Sequence, residues 1–393
     1  MKVSILGTRG IPASYSGFET AVEQISSRLT ARGHEVTVYC RRHVVDPEIR
    51  EWKGAKLVDL PTIRNKYLDT FVHTVLSSVH AASRKPDVAL FFIAGNSPLC
   101  LVTRAKGIPT LINVDGLDSN RRKWNRAAKG YLRIAERLSP RMATRAITDS
   151  YAVAHIFEQR FGKQIGVVPY GAEAPPDTGQ GTLERLGLEP GRYVLFVGRL
   201  EPENNPHVLV EAWAKIPTAK TNGMKLVVVG GAPYASDYIE RVRRAADPRV
   251  LFPGYIFGRG YWELQRGAYL FCTPTEVGGT HPVILEALAA GNCVLVNDYK
   301  PNAETVGEAG AYFAGDRGSE DLALQLERLL DDPETVAEYR KRAVKRAALY
   351  SWDAVTTAYE QLLEDLAGES RYGPLPLDTV EELERATLGP RAA

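Results

Sequence analysis

The chain has 393 residues, enough for two domains that each bury their own core. Hydrophobic residues make up 44%, charged residues 24%, and the net charge is +2, the balance of an ordinary soluble globular protein with no wholesale basicity for nucleic acid. The four cysteines, Cys40, Cys100, Cys272 and Cys293, lie far apart, most in or beside apolar runs, without CxxC or His/Cys spacing, so they read as buried thiols rather than metal ligands.

The first residues, Met1-Lys2-Val3-Ser4-Ile5-Leu6-Gly7, read as a strand rather than a signal peptide. No apolar run approaches transmembrane length, so the expected location is the cytoplasm. Short apolar runs rich in β-formers follow at 36–40, 88–93, 110–114 and 146–148, and again at 193–197, 226–229, 269–272 and 294–296, alternating with helical patterns. Continuous apolar strands separated by helices predict α/β architecture, two doubly wound parallel sheets. The densest Pro/Gly segment, 170–182, divides the two sets. Domains are expected at 1–171 and 183–351 with a linker at 172–182, then a helical segment at 352–393 that includes a short last helix after a break near Pro374 and Pro376.

Ligands of doubly wound sheets bind beyond the carboxyl ends of strands, so the loops there deserve the closest reading. The first, Gly7 to Thr20, lacks the spacing of a dinucleotide fingerprint; with Arg9, Tyr15, Gly17 and Glu19 it reads as part of a polar pocket or as a long surface turn. Ser97 is expected to cap the helix after its strand. Asp115, at the next strand end, is the better candidate for chemistry. From Asn120 to Arg133 the chain is basic without an acid and carries Trp124 and Tyr131, which suits a basic amphipathic helix on an anionic bilayer, a phosphate-bearing acceptor, or a solvated face.

In the second half, Arg199 follows Gly198 at a strand end, where its fork can reach a diphosphate or pair with Glu201 or Glu203. Gly230-Gly231 makes another close-approach turn, and Pro253-Gly254-Tyr255 reads as a loop that packs on a flat ring or as an ordinary turn. The densest stretch runs from Phe271 to Gly291: a buried strand end, a turn at Gly278 and Gly279, and a helix with Pro282 in its first turn. The amides of Thr280, His281 and Val283 then lie at the positive end of a helix, a phosphate site, and Glu286 one turn later can accept ribose hydroxyls. The same features fit a plain strand–turn–helix corner.

Taken together, Gly198-Arg199-Leu200, Gly230-Gly231, Pro253-Gly254 and Glu276 through Glu286-Ala287-Leu288-Ala289-Ala290-Gly291 resemble the retaining nucleotide-sugar glycosyltransferases of family 4. Asn113-Val114-Asp115-Gly116, Thr148-Asp149-Ser150 and Val168-Pro169-Tyr170-Gly171 extend the likeness over nearly the whole chain. Leu6 to Pro12, Gly17-Phe18-Glu19-Thr20, Pro202 to Asn205 and Val277 to Thr280 are most similar to a bacterial branch containing rhamnosyltransferases of surface-polysaccharide assembly.

The resemblance implies the GT-B fold, two Rossmann-like domains facing across a cleft, with the acceptor on the first, the nucleotide sugar on the second, and the last helical segment crossing back to the first. It implies transfer of a sugar with retained configuration, and the branch points to dTDP-rhamnose and a carrier-linked saccharide acceptor. Arg199, Glu276 and Asp115 become the catalytic candidates. Donor contacts fall on Gly17, Arg199, Asn204, Gly230, Tyr255, Gly278, Gly279, Thr280, His281 and Glu286, and acceptor contacts on Arg9, Tyr15, Glu19 and Asp115. No cofactor, metal or nucleic acid is implied; peripheral contact with the inner face of the membrane is. Two departures stand out: Asn204 occupies the place of a diphosphate-binding lysine, and nine residues instead of seven separate Glu276 from Glu286, so the first glutamate's role falls to Glu276 or to the backbone at Gly278. A nucleotide-sugar epimerase and a non-catalytic nucleotide-sugar binder are the alternatives on the same fold.

Overall fold

The computed structural model describes residues 1–13, 17–65, 67–122, 124–232 and 235–368. Tyr15 and the short helix expected after Pro374 lie outside the described residues. Two compact units form. One comprises Met1–Gly171, Gly278–Thr280 and the chain from Trp352 on; the other comprises Ala172–Val277 and His281–Ser351.

The first unit is built on an eight-stranded sheet among the described residues: β1 Lys2–Leu6, β2 Glu35–Arg41, β3 Glu51–Trp52, β4 Ala55–Leu60, β5 Val88–Phe92, β6 Thr110–Asn113, β7 Arg145–Thr148 and β8 Gly166–Val167, in the order β3-β4-β2-β1-β5-β6-β7-β8. Only the β3–β4 pair is antiparallel. β5, Val-Ala-Leu-Phe-Phe, is buried at all five positions, as a strand covered on both faces must be. Leu6, Phe91, Ile112 and Phe157 share one core cluster. The helix Trp352–Ala367 belongs to this unit and packs on helix Gly17–Ala31 and on β6.

The second unit carries a six-stranded sheet among the described residues, all parallel: β9 Tyr193–Val197, β10 Lys225–Val229, β11 Val250–Gly254, β12 Leu270–Thr273, β13 Cys293–Asn297 and β14 Gly310–Phe313, in the order β11-β10-β9-β12-β13-β14. Phe196, Trp213, Leu226, Leu270 and Leu295 anchor its core.

Both sheets reverse direction of growth at one point, between β1 and β5 in the first and between β9 and β12 in the second. At such a switch two neighbouring loops leave the sheet in opposite directions and open a crevice.

Several sequence expectations are corrected. Five strands were not foreseen: β3, β4, β8, β11 and β14. Pro253 and Gly254, expected in a loop, end β11, an edge strand where a missing N–H is tolerated. The basic helix starts at Arg126, capped by the Asn125 side chain accepting from the Ala128 N–H at 2.9 Å, and runs to Met142, so Arg121 to Trp124 precede it. Ser97 caps nothing. It sits inside a 3-10 turn, Ala94–Leu99, and its hydroxyl donates to the Ala135 carbonyl at 3.0 Å.

Candidate active site

In the second unit the loops after β9 and β12 flank the switch and are tied to each other. The Glu276 N–H donates to the Glu203 carbonyl at 3.2 Å, and the Asn205 amide to the Pro274 carbonyl at 3.0 Å. Arg199 leaves β9 with its guanidinium a quarter exposed and 3.3 Å from Glu201 Oε2, and Asn204 donates to the Arg199 carbonyl at 2.6 Å. Asn204 thus fixes the loop's backbone rather than adding charge. Glu203 is buried, and among the described residues neither of its carboxylate oxygens has a hydrogen-bond partner. The sequence offered Glu203 as an alternative partner of Arg199, but the guanidinium pairs with Glu201.

After β10, Gly230 has φ +130°, and a Cβ there would stand 1.9 Å from the Gly198 carbonyl oxygen. Only glycine lets these two turns approach. Beside them Tyr255 and Phe257 stack at 5.7 Å and 12°, both exposed, with Tyr255 against Gly231.

After β12 the turn and helix stand as the sequence predicts. Helix Pro282–Ala289 begins with proline in its first turn and His281 at its cap. Gly278 takes φ +137°; Gly278, Gly279 and Thr280 are buried, while Glu276 is half-buried before them. Both ring nitrogens of His281 face oxygens: Nδ1 lies 2.8 Å from Asn302 Oδ1 and Nε2 3.2 Å from the Val277 carbonyl. Asn302 is oriented by donating to the Thr275 carbonyl at 2.9 Å and to Asn297 Oδ1 at 2.6 Å.

Glu286, half-buried on that helix, accepts a hydrogen bond from the Tyr261 hydroxyl, which itself accepts from Gln265 Nε2 at 3.0 Å. Burial pushes the Glu286 carboxyl up to about 7, more than the Tyr261 bond lowers it.

In the first unit Asp115 follows β6 with φ +56° and is buried. Its N–H donates to Asn113 Oδ1 at 2.9 Å, and its carbonyl accepts from the Thr148 hydroxyl at 2.9 Å. Removal from water raises its carboxyl above the ordinary range, against the pull of Arg121 3.9 Å away. Arg121 also pairs with Asp118 at 2.6 Å and is buried, which corrects its expected place on a basic surface. Asp149, noted from sequence only within Thr148-Asp149-Ser150, is fully buried and acts on the Asp115 carboxyl, lowering it against the effect of burial. Burial and these two carboxylates raise the Tyr170 phenol well above its usual range. At the switch of this sheet, Glu19 is buried and accepts from the Arg9 N–H at 3.0 Å, while Gly17 opens the following helix. Among the described residues, the metal-ligand cluster of three groups within mutual reach lies elsewhere, at His34, Glu360 and Glu364.

Comparison with known proteins separates the two halves. Residues 184–348 match the family of glycosyl transferases group 1, and residues 1–173 match a domain of unknown function (DUF1972). The chain is similar to D-inositol 3-phosphate glycosyltransferase of Rhodococcus erythropolis, at 29% identity over 52% of this chain and 49% of that one. It is similar also to N-acetylgalactosamine-N,N'-diacetylbacillosaminyl-diphospho-undecaprenol 4-alpha-N-acetylgalactosaminyltransferase of Campylobacter jejuni, at 26% identity over 49% of this chain and 51% of that one. The chain spans about half the length of these curated relatives. Anabaena HepE, solved in complex with UDP-glucose, superposes with a TM-score of 0.76 at 19% identity, over 93% of this chain and all of that one, which shows the same GT-B fold.

Proposed function

We propose that the chain is a retaining glycosyltransferase that moves a sugar from a nucleoside diphosphate to an acceptor hydroxyl. The observation that carries this reading is the pair of linked loops at the β9–β12 switch, which bring Arg199, a proline-started helix and Glu286 to one end of one sheet. Arg199 and the amides at the start of helix Pro282–Ala289 would hold the diphosphate, Glu286 the ribose hydroxyls, and Tyr255 the base.

As the sugar–oxygen bond breaks, both its electrons go to the diphosphate, whose growing charge these groups stabilise. The acceptor oxygen bonds the anomeric carbon on the face the diphosphate leaves, and its proton passes to a leaving phosphate oxygen. No separate base is needed. With Asn204 in place of a lysine, Arg199 and the helix amides would be the main stabilisers of that charge. Asp115 in the first unit would meet the acceptor, and Glu276 or the backbone at Gly278 the transferred sugar. The scheme assigns no role to a metal, so transfer should survive EDTA.

The donor favoured by the branch resemblance is dTDP-rhamnose. A carrier-linked saccharide is the favoured acceptor, supported by the diphospho-undecaprenol in the Campylobacter relative's name. Work on such a carrier places the enzyme at the cytoplasmic face of the membrane. Among the described residues no helix is long and apolar enough to cross it, so attachment would be peripheral. The test is incubation with labelled dTDP-, UDP- and GDP-sugars, with and without a carrier-linked saccharide. Acceptor-dependent transfer with retained configuration supports the reading; epimerised donor, or binding without turnover, overturns it.

A further inference from the structure

The turn that leaves helix Gly17–Ala31 delivers His34 to the amino end of β2, opposite the loops discussed above. His34 is buried, and its Nε2 lies 2.7 Å from Glu360 Oε1 on helix Trp352–Ala367. Arg32 Nη1 takes the other oxygen of Glu360 at 2.6 Å, leaving that carboxylate one oxygen to give. One helical turn on, at the i+4 position and so on the same face, is Glu364. It is only 4% exposed. Neither a hydrogen bond nor an ion pair to Glu364 occurs among the described residues. One ligand atom from each of His34, Glu360 and Glu364 lies within 4.8 Å of the others.

A carboxylate taken out of water without a partner is costly, and chains keep one where it is paired or coordinates a metal. Here the side chains within reach are a second carboxylate, which repels it, and an imidazole. We infer that His34, Glu360 and Glu364 form a binding site for a divalent transition-metal ion, Zn²⁺ or Mn²⁺. One nitrogen and two carboxylate oxygens suit these ions, whereas Ca²⁺ and Mg²⁺ prefer oxygen alone. The 2.7 Å between His34 and Glu360 is a hydrogen-bond distance, shorter than the gap between two ligands of one ion, so that bond opens and any proton it holds is released on binding.

The ion would be structural. It would clip helix Trp352–Ala367 to the turn before β2, adding to that helix's packing on helix Gly17–Ala31 and to ion pairs such as Arg28–Asp353, where Asp353 is 80% exposed and contributes little. Sequence spacing could not reveal it, since His34 and Glu360 stand 326 positions apart.

The experiment uses the full chain, stripped with EDTA and titrated with ZnCl₂ and MnCl₂ by calorimetry, with unfolding followed in parallel. The wild type should bind one equivalent saturably, and the unfolding temperature should rise with the metal and fall again with EDTA. Glu364→Gln keeps the shape and removes the charge. It should bind at least about tenfold more weakly, lose the metal-dependent shift, and unfold no earlier than the metal-free wild type. His34→Gln should bind as weakly. No saturable binding of either ion by the wild type, or wild-type binding by both variants, overturns the inference. Nucleotide affinity in the same samples should not change with metal, which separates this site from the proposed transfer site.

Discussion

Glu286 is where burial and chemistry oppose each other. Its carboxyl, ordinarily near 4.5, is pushed up to about 7 by removal from water, so the folded protein binds a proton there that the unfolded chain releases. The stability this contributes is complete below about 4.5 and is lost as pH rises through about 7. Ribose hydroxyls, however, donate best to the ionised form. Between pH of about 5.5 and 8, wild-type nucleotide affinity should therefore rise while its unfolding temperature falls relative to Glu286→Gln. The variant should show neither trend and should bind nucleotide about tenfold to a hundredfold more weakly at the upper pH. Calorimetry and thermal unfolding at the two pH values check this, and equal affinities would remove Glu286 from the donor site. Arg199 is subject to a different test. Its fork faces Glu201 at 3.3 Å, and a diphosphate would have to compete for it. Arg199→Lys keeps the charge and loses the fork, so turnover should slow on the order of tenfold with nucleoside monophosphate affinity nearly unchanged. Equal loss for monophosphate and diphosphate ligands would count against the assignment.

At the scale of elements, the exposed stack of Tyr255 and Phe257 just after β11 is best explained as a platform for a base. Stacking on an aromatic ring is worth about 1–3 kcal/mol per base. Tyr255→Ala should then weaken nucleoside diphosphate binding by about tenfold and leave pyrophosphate binding alone; a common loss of both would point to a disturbed loop instead. That platform was half legible. Pro253-Gly254-Tyr255 suggested a ring-packing turn, but proline hid the edge strand, and Phe257 carried no signal of its own. Strands buried on both faces, such as β5 and β13, could be read directly because their apolar runs are unbroken. β4 alternates in burial and β14 spans only Gly310–Phe313, so neither rises above a loop in sequence. Of the candidate site, the turn at Gly278 and the position of Glu286 follow from local rules of glycine, proline and helix polarity. Tyr261 and Asn302, which orient Glu286 and His281, stand 25 and 21 positions away on other helices, and only the packed chain brings them in.

At the scale of the molecule, the two units repeat one architectural idea, a mainly parallel sheet with a single switch point. In the second unit the loops at the switch carry Arg199 paired with Glu201 and the proline-started helix Pro282–Ala289. In the first, the loops after β6 and β7 are acidic, with Asp115 and Asp149 beside Tyr170, which suits hydroxyl-bearing acceptors better than another phosphate. If the acceptor is held on a lipid carrier, the first unit must also meet an anionic surface, and helix Arg126–Met142 is equipped for it. Leu132, Ala135 and Ser139 bury one side, while Arg126, Arg133 and Arg137 are exposed on the other, beside Ile134 at 61% and Tyr131 at 41% exposure. Each basic residue near such a surface contributes about 1 kcal/mol, so the three arginines together account for on the order of a hundredfold in binding. Arg121 must be left intact, because it is the counter-charge of Asp118 and Asp115 and its loss would disturb the acceptor side itself. The combined variant Arg126→Ser, Arg133→Ser and Arg137→Ser should sediment with anionic liposomes far less than the wild type, and the difference should shrink as salt rises. Its transfer to a soluble saccharide, by contrast, should be unchanged. Equal sedimentation of the two proteins, or none by either at low salt, would leave this helix a solvated face and shift the expected acceptor from a membrane carrier to a soluble one.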